Sequence, residues 1–74
     1  MERIHELRER IDEIDEEILE LLDKRVLVAK KIGEIKRERD ISITDTEREE
    51  VVLEQAKGYE AVFEEIINTC KKKE

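Results

Sequence analysis

IHELRERIDEIDEEILELLDKRVLVAKKIGEI, residues 4–35, carries aliphatic side chains at Ile4, Leu7, Ile11, Ile14, Ile18 and Leu21, then Arg25, then Val28, Ile32 and Ile35. The spacings alternate three and four without a slip, which is the heptad period of a helix that buries one seam. Leu22 and Ala29, each one position after a seam residue, widen the apolar face. On the opposite face acidic residues lead basic ones by four, as in Glu20 and Lys24, which supports a solvated helix surface. The pattern predicts one continuous helix from residue 2 to residue 38. Such a helix is about 50 Å long, whereas a compact chain of this size has a diameter near 30 Å. It must project beyond what its own chain can cover. A seam that stays apolar along the projection calls for helices of another chain, most economically in a symmetric homodimer.

Beyond this stretch, RERDISIT (37–44) breaks the period with Asp40, Ser42 and Thr44 and is predicted to be a loop. Thr44 and Thr46 each have a glutamate three residues on, Glu47 and Glu49, so two overlapping capping boxes mark the start of a second helix. Val52, Leu53 and Ala56 give that helix a short apolar face, and Gly58 suits its C-terminal cap. A third helix is predicted from Tyr59, with Tyr59, Val62, Phe63, Ile66, Ile67 and Cys70 at helical spacing. It ends on Lys71, Lys72 and Lys73, favourable at the negative end of a helix dipole. The expected architecture is all-α, one domain over residues 1–74, with three helices per chain, one long and two short, in an intertwined homodimer.

Composition agrees with this reading and narrows the function. Of 74 residues, 50% are charged and 38% apolar, and Tyr59 and Phe63 are the only aromatics, so the core is built from Ile, Leu and Val. There is no proline and there are two glycines, which leaves few places to turn. A net charge of -7 argues against a general nucleic-acid binder, because phosphates need a basic surface. No apolar run approaches a membrane span, and MERIHELRER lacks the apolar centre of a secretion signal, so a cytoplasmic protein is expected. One cysteine and one histidine, Cys70 and His5, give neither an internal disulfide nor a metal-ligand cluster.

Arg25 is the anomaly on the seam. A guanidinium there costs several kcal/mol unless an anion faces it. Asp15, Glu47 or a glutamate of another helix would make a structural salt bridge or set the register; a bound ligand would make a functional site. Arg8 and Lys36 sit at the edge of the same seam, each one position after a seam residue. Taken singly each is a surface cation with a buried stem. Together the three suggest an anionic ligand, although Arg8 lies about 25 Å from Arg25 along the axis and Lys36 about 16 Å the other way. Arg25 and Lys36 can converge on one ligand, but Arg8 joins only from a second, antiparallel helix. Asp45, Arg48 and Glu49 open the second helix, where free backbone N–H groups also suit an oxygen-rich ligand. His5 reads as a surface residue and Cys70 as a small packed side chain.

These residues fall into a recognisable order. LRERIDEIDEEILELLDKRVLVAKKIGEIK followed by ITDTEREEVVLE closely resembles the all-helical, AroQ-type chorismate mutases. Leu7-Arg8 stands near the start, then Asp15-x-x-Ile18-x-x-Leu21-Leu22-x-x-Arg25, Ala29-x-x-Ile32-Gly33-x-x-Lys36 and Asp45-x-x-Arg48-Glu49 follow without a gap. The third helix resembles the family more weakly, through VFEEIINTC, and its connection to the second is short, as in compact archaeal-like stand-alone forms.

The resemblance implies rearrangement of chorismate to prephenate, at the branch toward phenylalanine and tyrosine, without a cofactor or metal. It implies an intertwined homodimer whose two sites each receive Arg8 from the other chain. Chorismate is a dianion, so Arg8 and Arg25 would clamp its carboxylates and Lys36 would donate to the ether oxygen. By the same resemblance Glu49 would hold the ring hydroxyl, Asp45 would contribute mainly backbone, and Arg48 would organise these groups. Two positions depart from the common bacterial pattern: Cys70 stands where many members have serine, and Glu74 where many have glutamine. Glu74 donates to an ether oxygen only when protonated, so activity is expected to fall as pH rises. Its place as the final residue, at a frayable helix end, makes its role the least constrained. An isochorismate-pyruvate lyase of the same fold is a second enzymatic reading, and a non-enzymatic helical dimerisation module a third.

Overall fold

The computed structural model describes residues 2–74. It contains α1 (Glu2–Glu38), α2 (Thr46–Gln55) and α3 (Glu60–Lys73), and no strand among the described residues. The heptad stretch forms one unbroken 37-residue helix, and the molecule measures 56 × 22 × 15 Å, as long as that helix. Among the described residues no helix is long and apolar enough to cross a membrane.

α1 ends where its backbone turns left-handed. Asp40 takes φ 55°, Ile41 N–H donates to Lys36 C=O at 2.8 Å, and Asp40 N–H to Arg37 C=O at 3.3 Å. This paired closure satisfies carbonyls the helix end would otherwise leave open, with an aspartate in the place glycine usually takes. It also starts the loop that carries Ile43 back toward Lys36.

The start of α2 differs from the expectation. Neither Thr44 nor Thr46 caps it; Asp45 does, its Oδ1 accepting from Arg48 N–H at 3.1 Å. Asp45 has the extended backbone of a cap, and Thr46 is already helical. Three residues beyond Asp45 stands Arg48, so no reciprocal glutamate bond forms; Glu47 and Glu49 act instead through the helix dipole. At the other end the cap is Ala56 rather than Gly58. Gly58, at φ +90°, is the third residue of a turn closed by Tyr59 N–H on Ala56 C=O at 2.8 Å, a place that excludes most side chains.

α3 is the element that joins the rest. It packs against both α1 and α2, which do not pack directly on each other. The core is thin: Ala29, Val52, Ala56, Ile67 and Cys70 are its buried apolar residues, all on the C-terminal half of α1 or on α2 and α3. Gly33, also buried, permits the close approach of the end of α3: a Cβ there would stand 3.0 Å from Glu74 Cβ and 3.0 Å from Glu74 O. Arg37 Nη1 donates to that same carbonyl oxygen. The N-terminal half of α1 is exposed throughout, and its seam is bare, with Ile11 56%, Ile14 54% and Leu21 62% exposed. The projection expected from the sequence is therefore present, with its apolar stripe uncovered by its own chain.

Candidate active site

Where α1 and α3 meet and the start of α2 faces them, a cavity of about 450 Å³ opens. Arg25 and Lys36 reach it from α1, three turns apart on the face that packs on α3. Asp45, Arg48 and Glu49 reach it from the start of α2, and Cys70 and Glu74 from the end of α3. Apolar walls come from Val28, Ala29, Ile32, Val52 and Ile67.

Arg25 is half-buried, and its Nη1 donates to Cys70 Sγ at 2.9 Å. The carboxylate partner expected within the chain is not there: among the described residues no ion pair includes Arg25. Asp15 is ten residues up the helix, about 15 Å away, and Glu47 belongs to α2, which does not pack on α1. Cys70, 4% exposed, thus holds the guanidinium in place without neutralising it. Lys36 Nζ donates to Ile43 C=O at 2.9 Å, so the loop fixes the ammonium and leaves two of its donors for the cavity.

The carboxylates are differently disposed. Asp45 is engaged as the α2 cap, its side chain accepting from Arg48 N–H, which leaves mainly its backbone for a ligand, as the resemblance implies. Glu49 is half-buried and receives Lys71 Nζ on both oxygens, at 3.2 and 3.1 Å. Glu74 lines the cavity, and its Oε2 is buried with no hydrogen-bond partner among the described residues. Arg48 is exposed at the rim, its backbone N–H bound to Asp45 and its side chain in no ion pair among the described residues. In an acidic chain, this one cavity gathers four cations, Arg25, Lys36, Arg48 and Lys71, against three carboxylates.

Two site residues fall outside the sequence reading or outside the cavity. Lys71 was assigned to the helix dipole, although it lies four residues after Ile67 and so on the buried face of α3; that spacing was the available signal. Arg8 is exposed and borders a separate hollow with Glu2, Ile4 and His5 near the start of α1.

Fold and cavity together define an all-α domain with a cation-rich pocket held between one long helix and two short ones. The family model for chorismate mutase type II matches residues 7–74, and the chain belongs to this family. It is 51% identical over 55 residues to a bifunctional chorismate mutase/prephenate dehydratase of Aquifex aeolicus, covering 74% of this chain and 15% of that one. To a chorismate mutase of Methanocaldococcus jannaschii it is 42% identical over 55 residues, covering 74% of this chain and 56% of that protein. The chain therefore spans well under two thirds of the length of these relatives. A solved structure, a conserved hypothetical protein from Pyrococcus furiosus, superposes with a TM-score of 0.89 at 43% identity, over 90% of this chain and 88% of that one.

Proposed function

We propose that this protein rearranges chorismate to prephenate. The observation that carries the reading is the cavity in which Arg25 and Lys36 stand without carboxylate partners beside the unpartnered Glu74 Oε2, in a chain of the chorismate mutase type II family.

Arg25 binds one substrate carboxylate by charge-assisted hydrogen bonds, with Cys70 fixing its orientation. Binding both carboxylates folds the enolpyruvyl arm over the ring and selects the reactive conformer. As the C–O bond breaks, negative charge grows on the ether oxygen, and Lys36 donates to it more strongly than in the ground state. Glu74, when protonated, is the second donor to that oxygen. Glu49 accepts from the ring hydroxyl. A millionfold acceleration corresponds to about 8 kcal/mol, of which one preorganised donor supplies about 3 to 4 kcal/mol. The step is unimolecular and uses neither a nucleophile nor a cofactor.

In this reading the second carboxylate is bound by Arg8 of a second copy, whose long helix lies antiparallel against the bare seam of the first. The uncovered Ile11, Ile14, Ile18 and Leu21 supply the contact surface. Incubating the purified protein with chorismate and following prephenate tests the proposal. Conversion that is saturable and lost in Lys36→Ala is expected. Turnover of isochorismate to salicylate and pyruvate, with no prephenate from chorismate, would establish the lyase reading instead.

A further inference from the structure

The Lys71–Glu49 pair lies in the cavity wall and crosses from α3 to α2, and Lys71 has no part in the chemistry described so far. Lys71 Nζ contacts both Glu49 oxygens, at 3.2 and 3.1 Å, and the two side chains keep 29% and 26% of their surface exposed, both lining the cavity. An ammonium has three N–H donors and a carboxylate about four lone-pair sites. After the two bonds between them, the pair still offers one donor and at least two acceptor sites, side by side. That combination matches a neutral hydroxyl, which accepts from one partner while donating to the other.

On the reading of the site as one for chorismate, we propose that Lys71 is a specificity-determining residue that makes this corner of the pocket select a ring hydroxyl over an amine. The argument rests on charge. A bare Glu49 is an anion, and an anion prefers an ammonium to a hydroxyl by charge-assisted bonding. With Lys71 seated on both oxygens the corner is neutral, and an incoming ammonium meets a like charge. Repulsion of that kind is an effective device for rejecting a near-isosteric competitor. A hydroxyl meets none of it and loses no hydrogen bond. The same neutralisation leaves Arg25, Lys36 and Arg48 as the cavity's cations without an ion pair among the described residues, so the substrate carboxylates are drawn toward them rather than toward the hydroxyl corner.

The test compares two ligands: chorismate, and its analogue with an amino group in place of the ring hydroxyl, which is largely protonated at neutral pH. For the wild type, Lys71→Met and Lys71→Arg, kcat/KM is measured for each, and affinity for each by calorimetry. The calorimetric preference is read even where turnover fails, so a wrong assignment of the reaction is distinguishable from a wrong role for Lys71. The expected result is a preference for the hydroxyl ligand that falls at least about tenfold in Lys71→Met and survives in Lys71→Arg. A purely structural bridge between α2 and α3 predicts lower melting temperature and weaker binding of both ligands in equal proportion. An unchanged hydroxyl-to-amine ratio in folded Lys71→Met, whatever the absolute affinities, would overturn the proposal.

Discussion

The environment of Arg25 decides what kind of residue it is. An arginine that fixes helix register needs a protein carboxylate, and here its neighbour is the Cys70 thiol, 2.9 Å from Nη1. A thiol orients a guanidinium while leaving its charge available. Arg25→Met is therefore expected to remain folded, with stability equal to or above the wild type, because the replacement removes a half-buried charge and keeps the apolar stem. Its activity should fall by at least about 100-fold, the scale on which a single preorganised donor acts. Thermal melting together with the prephenate assay checks both halves; a large loss of stability would return Arg25 to a structural role. Glu74 yields a second prediction at this scale. Glu74 lines the cavity, and its Oε2 is buried with no hydrogen-bond partner among the described residues. A carboxylate only accepts hydrogen bonds whereas an amide also donates, so Glu74→Gln is expected to hold or raise kcat while Glu74→Ala lowers it. A kcat unchanged in both variants would remove Glu74 from the reaction.

At the level of elements, local signals were the legible ones. The seam of α1 repeats within every seven residues, so its helix could be read over 2–38 from spacing alone, and α3 likewise from Tyr59. The cap of α2 was read one residue astray because Thr44, Asp45 and Thr46 are all competent caps, and only the backbone decides among them. What stayed hidden depends on residues far apart in sequence. Cys70 is 45 residues from Arg25 and Lys71 is 22 from Glu49, and no periodicity reports such pairs. Gly33 belongs to the same group. Its lack of a side chain is used where the end of α3 settles on α1, with a virtual Cβ 3.0 Å from Glu74 Cβ and 3.0 Å from its carbonyl oxygen. Gly33→Ala sets two effects against each other. Alanine favours the helix by about 1 kcal/mol, while the new methyl pushes the last turn of α3 outward by a few tenths of an ångström. Arg37, which donates to the Glu74 carbonyl, resists that displacement. The helix gain and the lost contact nearly cancel in stability, but Glu74 is moved away from the cavity. The expected outcome is a melting temperature close to the wild type with a reduced kcat. A Gly33→Ala protein with full activity would mean that the position of Glu74 does not matter to the reaction.

On the scale of the whole molecule, the single chain leaves a long apolar stripe uncovered. A 56 Å body holds its buried residues in one half, while the other half presents Ile4, Leu7, Ile11, Ile14, Ile18 and Leu21 to solvent along one line. An exposed apolar stripe of that extent marks an interaction surface. On the proposed reading the cavity lacks its second carboxylate anchor, because Arg8 stands at the exposed end of α1, about 25 Å along the axis from Arg25. An antiparallel copy would solve both problems at once, covering the stripe and carrying its own Arg8 toward the Arg25 of the first chain. This geometry has a consequence that no arrangement of self-contained sites shares. In Arg8→Ala homodimers both sites lack the arginine from across the interface, and in Lys36→Ala homodimers both lack the ether-oxygen donor. In a mixed dimer the two lesions fall on the same site. One site is then doubly defective, and the other combines an intact Lys36 with an intact Arg8. Mixing the two inactive proteins under conditions that allow subunit exchange should thus restore activity, approaching one quarter of wild type because half the dimers are mixed and each has one good site. Exchange is verified independently by mass-tagged chains. Recovery at that level supports the shared site, whereas complete exchange with no recovery would show that Arg8 and Lys36 act within one chain, and the stripe would then need another occupant.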